Sequence, residues 1–176
     1  IKNNSMRQSI VDGQFYASDK ENLKKQIENC FKDKLGPGLS SEKKDKNIIG
    51  VICPHAGYSF SGPCQAFSYK EIAESKTPDV FILLGLSHSG FNSCISIEDW
   101  QTSLGIIKVD QELAKKINLP IDEVAHQNEH SIEVQLPFLQ FISKKEIKIL
   151  PIIISADINI KEFAQNLVKA LDKKTT

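Results

Sequence analysis

The sequence predicts an α/β domain, layered α/β/α around a largely parallel or mixed central sheet. Three observations predict it. Short apolar runs rich in β-branched residues recur at 48–53 (IIGVIC), 79–85 (DVFILLG) and 147–154 (IKILPIII), the pattern of strands buried on both faces. Segments of helical periodicity alternate with them, which is the element order of a layered α/β domain. And 176 residues are enough for one domain with a full hydrophobic core.

The elements follow in order. Residues 19–33 place Leu23, Ile27, Cys30 and Phe31 at helical spacing, with Ser18 or Asp19 as cap. Residues 36–46 (GPGLSSEKKDK) read as a loop, since Gly and Pro stop the helix and nothing periodic follows. The run 48–53 is a buried strand that stops at Pro54. Residues 62–74 read as a helix with Pro63 in its first turn, where no N–H is missed. The run 79–85 is the strongest strand, and 93–99 (SCISIED) alternates as a further one. Asp110 can cap a helix over 111–117. Residues 129–143 read as a helix that Pro137 must kink or delimit. The strand 147–154 and an amphipathic helix over 159–172, with Ile160, Phe163, Leu167 and Leu171 on its apolar face, complete the chain.

Composition narrows the function classes. Twenty-two basic and 22 acidic residues give zero formal net charge, so no global field gathers nucleic acid or anionic membrane. The lysine clusters at 43–44, 144–145 and 173–174 read as solvated loops or helix ends. No apolar stretch approaches the roughly 20 residues of a membrane span, and the first residues lack a signal-peptide apolar region. The expected location is cytoplasmic. Cys30, Cys53, Cys64 and Cys94 are widely spaced with no CxxC pair, which fits a reducing compartment rather than a zinc ribbon or disulfide framework. Cys53 and Cys64 flank the PHAGYSFSG stretch, so either could bring a sulfur near a site.

Two histidines follow strand ends. IIGVIC runs into Pro54-His55, and FILLG into Leu86-Ser87-His88-Ser89-Gly90. In open α/β sheets, ligands bind beyond the carboxyl ends of strands. If the two strands are parallel neighbours, both imidazoles reach one sheet edge, a sound start to a transition-metal site. The plain alternative is that each histidine caps a turn. Two ligands are too few for a tight site, so a third is needed. His126 and His130 lie in AHQNEHSIEVQLPF. Asn128 is a natural helix cap, which places His126 before the helix. Glu133 could orient the His130 ring as a supporting carboxylate, or Glu129 and Glu133 could be capping or solvated carboxylates. The HQNEH spacing has Gln127 where a zincin has glutamate, so a zinc protease is excluded. Ser87-His88 are sequence neighbours and no evidence of a nucleophile and its base.

PHAGYSFSG, FILLGLSHSG and EHSIEVQLPFLQ, in this order and spacing, closely resemble the Memo family (mediator of ErbB2-driven cell motility), with archaeal and bacterial members nearest. DGQFYASDKENLKKQIENCF resembles that family's N-terminal segment, departing from it at Asp12 and Ala17. The resemblance runs from about Val11 to Leu171. It implies the fold of class III extradiol dioxygenases, non-haem iron enzymes that open catechol rings. It also implies that His55 and His88 are the two metal-ligand histidines, for iron or copper. The family's other pocket residues, an Asp, a His and a Cys where the dioxygenases have a ligand Glu, belong to a later segment. The expectation is therefore that residues 1–176 form one Memo-like domain covering only the N-terminal three-fifths or so, with the third ligand beyond residue 176. Gly57 and Gly62 are expected to allow close backbone approach and Tyr58 to line the rim, with Glu129, His130 and Glu133 as pocket or supporting residues.

Three functions follow. One is a metal-dependent redox or oxygenase-like enzyme acting on an unknown small molecule. The second is an adaptor that binds a protein or phosphopeptide on a vestigial enzyme fold, as animal Memo proteins are described. In the third, the histidines are structural. Neither nucleic acid nor membrane is expected as a partner.

Overall fold

The computed structural model describes residues 6–42 and 44–171; Lys43 and the last lysine pair lie outside them. Among the described residues the sheet is mixed and has six strands. Its centre is β6 (Lys148–Ile154), a run of β-branched residues interrupted by Pro151 and buried from Ile149 to Ile153. On one edge it pairs in parallel with β2 (Val80–Leu86), in register from Val80 with Lys148 to Leu86 with Ile154. On the other it pairs in parallel with β5 (Gly105–Val109) and antiparallel with the short β3 (Cys94–Ile95). Beyond β5 lie β4 (Asp99–Thr102), antiparallel to it, and β1 (Met6–Arg7), parallel to β4.

Alternation along β6 separates two cores, because successive side chains point to opposite faces. Ile149 and Ile153 meet Leu23, Ile27 and Phe31 of α1 (Lys20–Lys32), Tyr58, Ala66 and Tyr69 of α2 (Tyr58–Glu74), and Leu136, Phe138 and Leu139 further along the chain. Leu150 and Ile152 face the other way, onto Ala114 of α3 (Gln111–Ala114) and Ile117, with Phe163 and Leu167 of the C-terminal helix packed beside them. Helices on both faces make three layers. Burying each such aliphatic side chain contributes about 1.5–3 kcal/mol. As the sequence predicts, Asp19 caps α1, its Oδ1 accepting the Asn22 N–H at 2.9 Å, and Asp110 caps α3 through the Leu113 N–H.

The structure corrects several boundaries. Residues 48–53 form no strand. Ile49 and Ile52 are 100% and 98% exposed; among the described residues β2 pairs with β6 alone, and residues 44–54 instead bond to α2 and to Gln135. The Lys44 N–H donates to the Glu74 carbonyl, the Ser68 hydroxyl to the Ile52 carbonyl at 3.2 Å, and the Gln135 amide to the Pro54 carbonyl at 3.0 Å. Helix α2 starts at Tyr58 rather than residue 62, since the Tyr58 ring is anchored in the core and its N–H donates to the Phe15 carbonyl. Pro63 therefore lies inside the helix, forgoing one intrahelical bond. The 93–99 stretch splits into β3 and the start of β4. Residues 129–143 are not one helix: 129–132 are irregular, Glu133–Gln135 form a 3₁₀ turn, and α5 (Leu136–Ile142) begins with Pro137 in its first turn. His126 lies within a short α4 (Glu123–Gln127) whose C-cap is Asn128. Helix α6 (Ile160–Leu171) buries Phe163 and Leu167 in part and leaves Ile160 and Leu171 exposed.

Candidate metal centre

Three separate segments deliver an imidazole to one place. His55 lies in the irregular segment just before α2. His88 follows β2. His130 occupies the turn between α4 and the 3₁₀ segment. Gly85 makes the approach of β2 feasible: a Cβ there would stand 2.5 Å from Ile132 Cγ1 and 2.7 Å from Ser131 Oγ. With bare backbone at that position, the Leu86 N–H reaches Ser131 Oγ at 3.0 Å, which fixes the end of β2 against residues 129–132. Gly57 plays a similar part, its α-carbon passing so close to Phe15 that a Cβ would meet the Phe15 carbonyl oxygen at 3.2 Å.

The ring centroids of His55 and His88 are 5.1 Å apart, those of His88 and His130 4.6 Å, and those of His55 and His130 5.9 Å. One nitrogen from each ring lies within 4.8 Å of the others, and this is the one group of three or more metal-ligating side chains among the described residues. Its members are half-buried to exposed, so the face is open. Cys53 and Cys64 do not join it. Ser87 is committed to its turn, its hydroxyl donating to the Phe91 carbonyl at 2.7 Å.

Glu129 organises the cluster. Its carboxylate accepts the His88 backbone N–H at 2.9 Å, the His130 N–H at 2.8 Å and the Ser131 N–H at 2.7 Å. It also meets His88 Nδ1 at 2.9 Å. Burial pushes this carboxyl up, but the N–H groups of His88 and Ser131 and the His88 ring outweigh it and hold it at about 2. An ionised carboxylate can only accept, so Nδ1 of His88 is the protonated donor to it, and Nε2 is the ring nitrogen that Glu129 does not engage. Burial lowers the His130 pKa; the Glu129 and Glu133 charges oppose this and the two neighbouring imidazoles add to it, for a net shift toward the neutral, ligating form. Three imidazoles, one of them oriented by a carboxylate, are a donor set suited to a transition metal when their ligating nitrogens are unprotonated. Beside them lies a pocket of about 410 Å³ lined by Gln14, Phe15, His55, Ala56, Gly57, Phe60 and His130, with the Phe15 ring edge-on to His130 at 4.8 Å.

Other expected site residues lie elsewhere. Tyr58 is in the core rather than at the rim, its hydroxyl donating to the Val134 carbonyl at 2.8 Å. Glu133 does not reach the His130 ring. Its carboxylate takes a salt bridge from Arg7, the Tyr16 hydroxyl at 2.7 Å, and the N–H groups of Ile10 and Val11 at 3.1 Å. Burial, reinforced by the Glu133 charge, raises the Tyr16 pKa and keeps the phenol a donor. His126 is fully buried against Trp100, ring centroids 5.8 Å apart.

Arg7 is the residue supporting this cluster that sequence reasoning missed. Besides Glu133, its guanidinium donates to the Glu129 carbonyl at 2.8 Å and the His126 carbonyl at 3.1 Å, and it lies 4.2 Å over the Trp100 ring. It thus holds the main chain of Glu129 from behind. A signal was present: Arg7 is the chain's only arginine, and a planar fork of donors serves several acceptors at once where lysine cannot.

With this geometry in place, the profile of the family described as Memo-like protein matches residues 7–176. The chain belongs to the Memo family. The match takes in most of this chain rather than a part of it. A MEMO1 family protein of Methanopyrus kandleri is 44% identical over 156 residues, covering 83% of this chain and 55% of its own length. One from Methanosarcina barkeri is 40% identical over 179 residues, covering 96% of this chain and 64% of its own length. One from Saccharolobus solfataricus is 41% identical over 179 residues, at 95% and 62%. This chain therefore spans less than two thirds of the length of these Memo relatives. An archaeal or bacterial-like membership fits, as does the dioxygenase-like α/β fold. No described helix is long and apolar enough to cross a membrane.

Proposed function

We propose that this Memo family chain carries the histidine ligands of a redox-active metal, iron or copper, in a protein that transforms a small molecule. The observation that carries the reading is the convergence of His55, His88 and His130, with Glu129 orienting the His88 ring. In this reading His130 fills the place of the third ligand that the sequence alone left unassigned.

The residues divide the work. His55, His88 and His130 would hold the ion through unprotonated nitrogens. Glu129 orients His88 and tethers the His130 main chain. Phe15 and Phe60 form an apolar wall beside the rings, and the Gln14 amide offers a polar contact to a bound molecule. Bound iron or copper supplies electron-transfer chemistry and open coordination positions for a small ligand. The four free cysteines suit a reducing compartment, so the proposal places the protein in the cytoplasm.

The test is metal content after anaerobic purification and reconstitution with iron(II) or copper(I), beside His55→Ala, His88→Ala and His130→Ala. Near-stoichiometric metal in the parent and its loss in all three variants is the expected result. A parent that takes up neither metal sinks the proposal and leaves the adaptor reading, to be pursued by capture of a phosphopeptide or protein partner.

A further inference from the structure

Cys53 and Cys64 stay outside the histidine cluster, yet the fold lays them against each other. Ser61, Cys64, Gln65 and Ser68 of α2 share one face, at the spacing of neighbours on a helical surface. Residues 52–56 are tied along that face. At one end the Ser68 hydroxyl donates to the Ile52 carbonyl at 3.2 Å. At the other the Ala56 carbonyl accepts from the Ser61 hydroxyl at 3.0 Å and from the Gln65 amide at 3.1 Å. Cys53 lies between these attachments on the segment, and Cys64 lies between them on the helix. The two thiols are near enough to feel each other's charge, and Ser68 and Tyr69 flank Cys53 as well. Cys64 is exposed and Cys53 half-buried, whereas Cys30 and Cys94 are buried. Residues 52–56 belong to no ladder and are held by side chains that bond their carbonyls. Such a segment can shift by the small distance that disulfide geometry asks for.

We propose that Cys53 and Cys64 are a redox pair that closes into a disulfide under hydrogen peroxide and clamps the segment carrying His55 onto α2. The exposed Cys64 thiolate attacks the peroxide. Its sulfur takes one oxygen as the O–O bond breaks, the other oxygen leaves as hydroxide, and Cys64 becomes a sulfenic acid. The Cys53 thiol then attacks that sulfur: the S–S bond forms, the S–O bond breaks, and water leaves with the thiol proton. Overall, two thiols and one peroxide give one disulfide and two waters. A dithiol reductant returns the electron pair and reopens the bridge by exchange. In a reducing compartment such a bridge is transient and follows the oxidant. The bond closes the loop that runs from Cys53 through His55 and Phe60 to Cys64, so it fixes a stretch that side-chain bonds alone hold in the reduced chain. The pairing is independent of whether the histidines hold a metal.

The test is non-reducing peptide mapping of this chain after treatment with a slight molar excess of hydrogen peroxide, with a chelator present and the remaining thiols alkylated at the end. The expected product is a monomer in which the Cys53 and Cys64 peptides are joined. Cys30 and Cys94, whose thiols burial pushes up to about 11, should stay free. Dithiothreitol should undo the bridge. In Cys53→Ala, Cys64 should stop at the sulfenic acid and be trapped by dimedone, and Cys64→Ala should form no bridge. Hydrogen exchange over residues 52–62 should slow about tenfold or more in the oxidised parent. A folded parent whose Cys64 is oxidised without joining Cys53 overturns the proposal. So does a bridge that forms only between chains or only after unfolding in urea. A Cys53–Cys64 bridge that leaves exchange over 52–62 unchanged overturns the clamp. Metal uptake by the reduced chain is read separately, so failure of the histidine centre and failure of this pair are distinguishable.

Discussion

Glu129 and Glu133 are two buried carboxylates four residues apart, and they do different things. Glu129 faces the open cleft and gathers the His88 ring and three main-chain N–H groups. Glu133 faces the core and gathers Arg7, Tyr16 and the 10–11 main chain. On a regular helix the two would share a face. The irregular turn at 129–132 sends them to opposite sides, and Arg7 bridges them, bonding the side chain of one and the carbonyl of the other. One carboxylate therefore orders the histidine cluster while its near neighbour holds the scaffold.

Substitutions can break this contrast. The largest effect is expected at the brace. Arg7→Ala or Glu133→Ala leaves a fully buried charge without its partner, a loss of about 3–5 kcal/mol of stability, measured by urea unfolding. If either variant instead lowered metal affinity with stability intact, the division of labour would be wrong.

His126 comes next. Burial holds its pKa at about 4. Among the described residues neither ring nitrogen has a hydrogen-bond partner; the Cys94 backbone lies near enough to favour the charged ring, but outside hydrogen-bond geometry. Asp122 and Glu129 also favour the charged form, and Arg7 opposes it. As pH falls from about 6.5 to about 4, the unfolded chain takes up this proton and the folded chain does not, so stability declines by about 3 kcal/mol across that window. His126→Phe should remove that part of the slope, seen as a smaller difference between urea midpoints at pH 7 and pH 4.5.

Glu129→Gln sharpens the contrast from the other side. The variant should weaken metal binding by about 10–100-fold in a competition titration and leave the Arg7–Glu133 brace intact. The smallest effect serves as the control: Asp19→Ala removes the α1 cap, costs about 1 kcal/mol, and should leave metal content unchanged.

How much of this was legible in the sequence depended on how local each cause is. Helix α1 was legible because its cap and its buried face lie within one segment. β2 and β6 were legible because each is an unbroken apolar run of strand length, although only β6 is buried along most of its length. The run 48–53 has the same local pattern, but a strand also needs a neighbour's N–H and C=O groups, which no local pattern reports. His55 and His88 were legible as residues following apolar runs. That His130 joins them, and that Glu129 rather than Glu133 serves the rings, depends on Arg7, more than a hundred residues away in sequence. Tyr58 sat beside His55 in a suggestive motif, yet it is helix α2 that decides where its ring points, and that direction is inward.

The pairing of β2 with β6 has a consequence for synthesis. Val80 must wait for Lys148 before its ladder can start, and a ribosome adding about 5–20 residues per second takes several seconds to cover that interval. Throughout that time one of the chain's most apolar segments hangs outside the exit tunnel with no mate. Nascent chains of this protein are therefore natural clients for a chaperone that binds short oily peptides, and slowing translation between the two strands should lower the yield of folded protein.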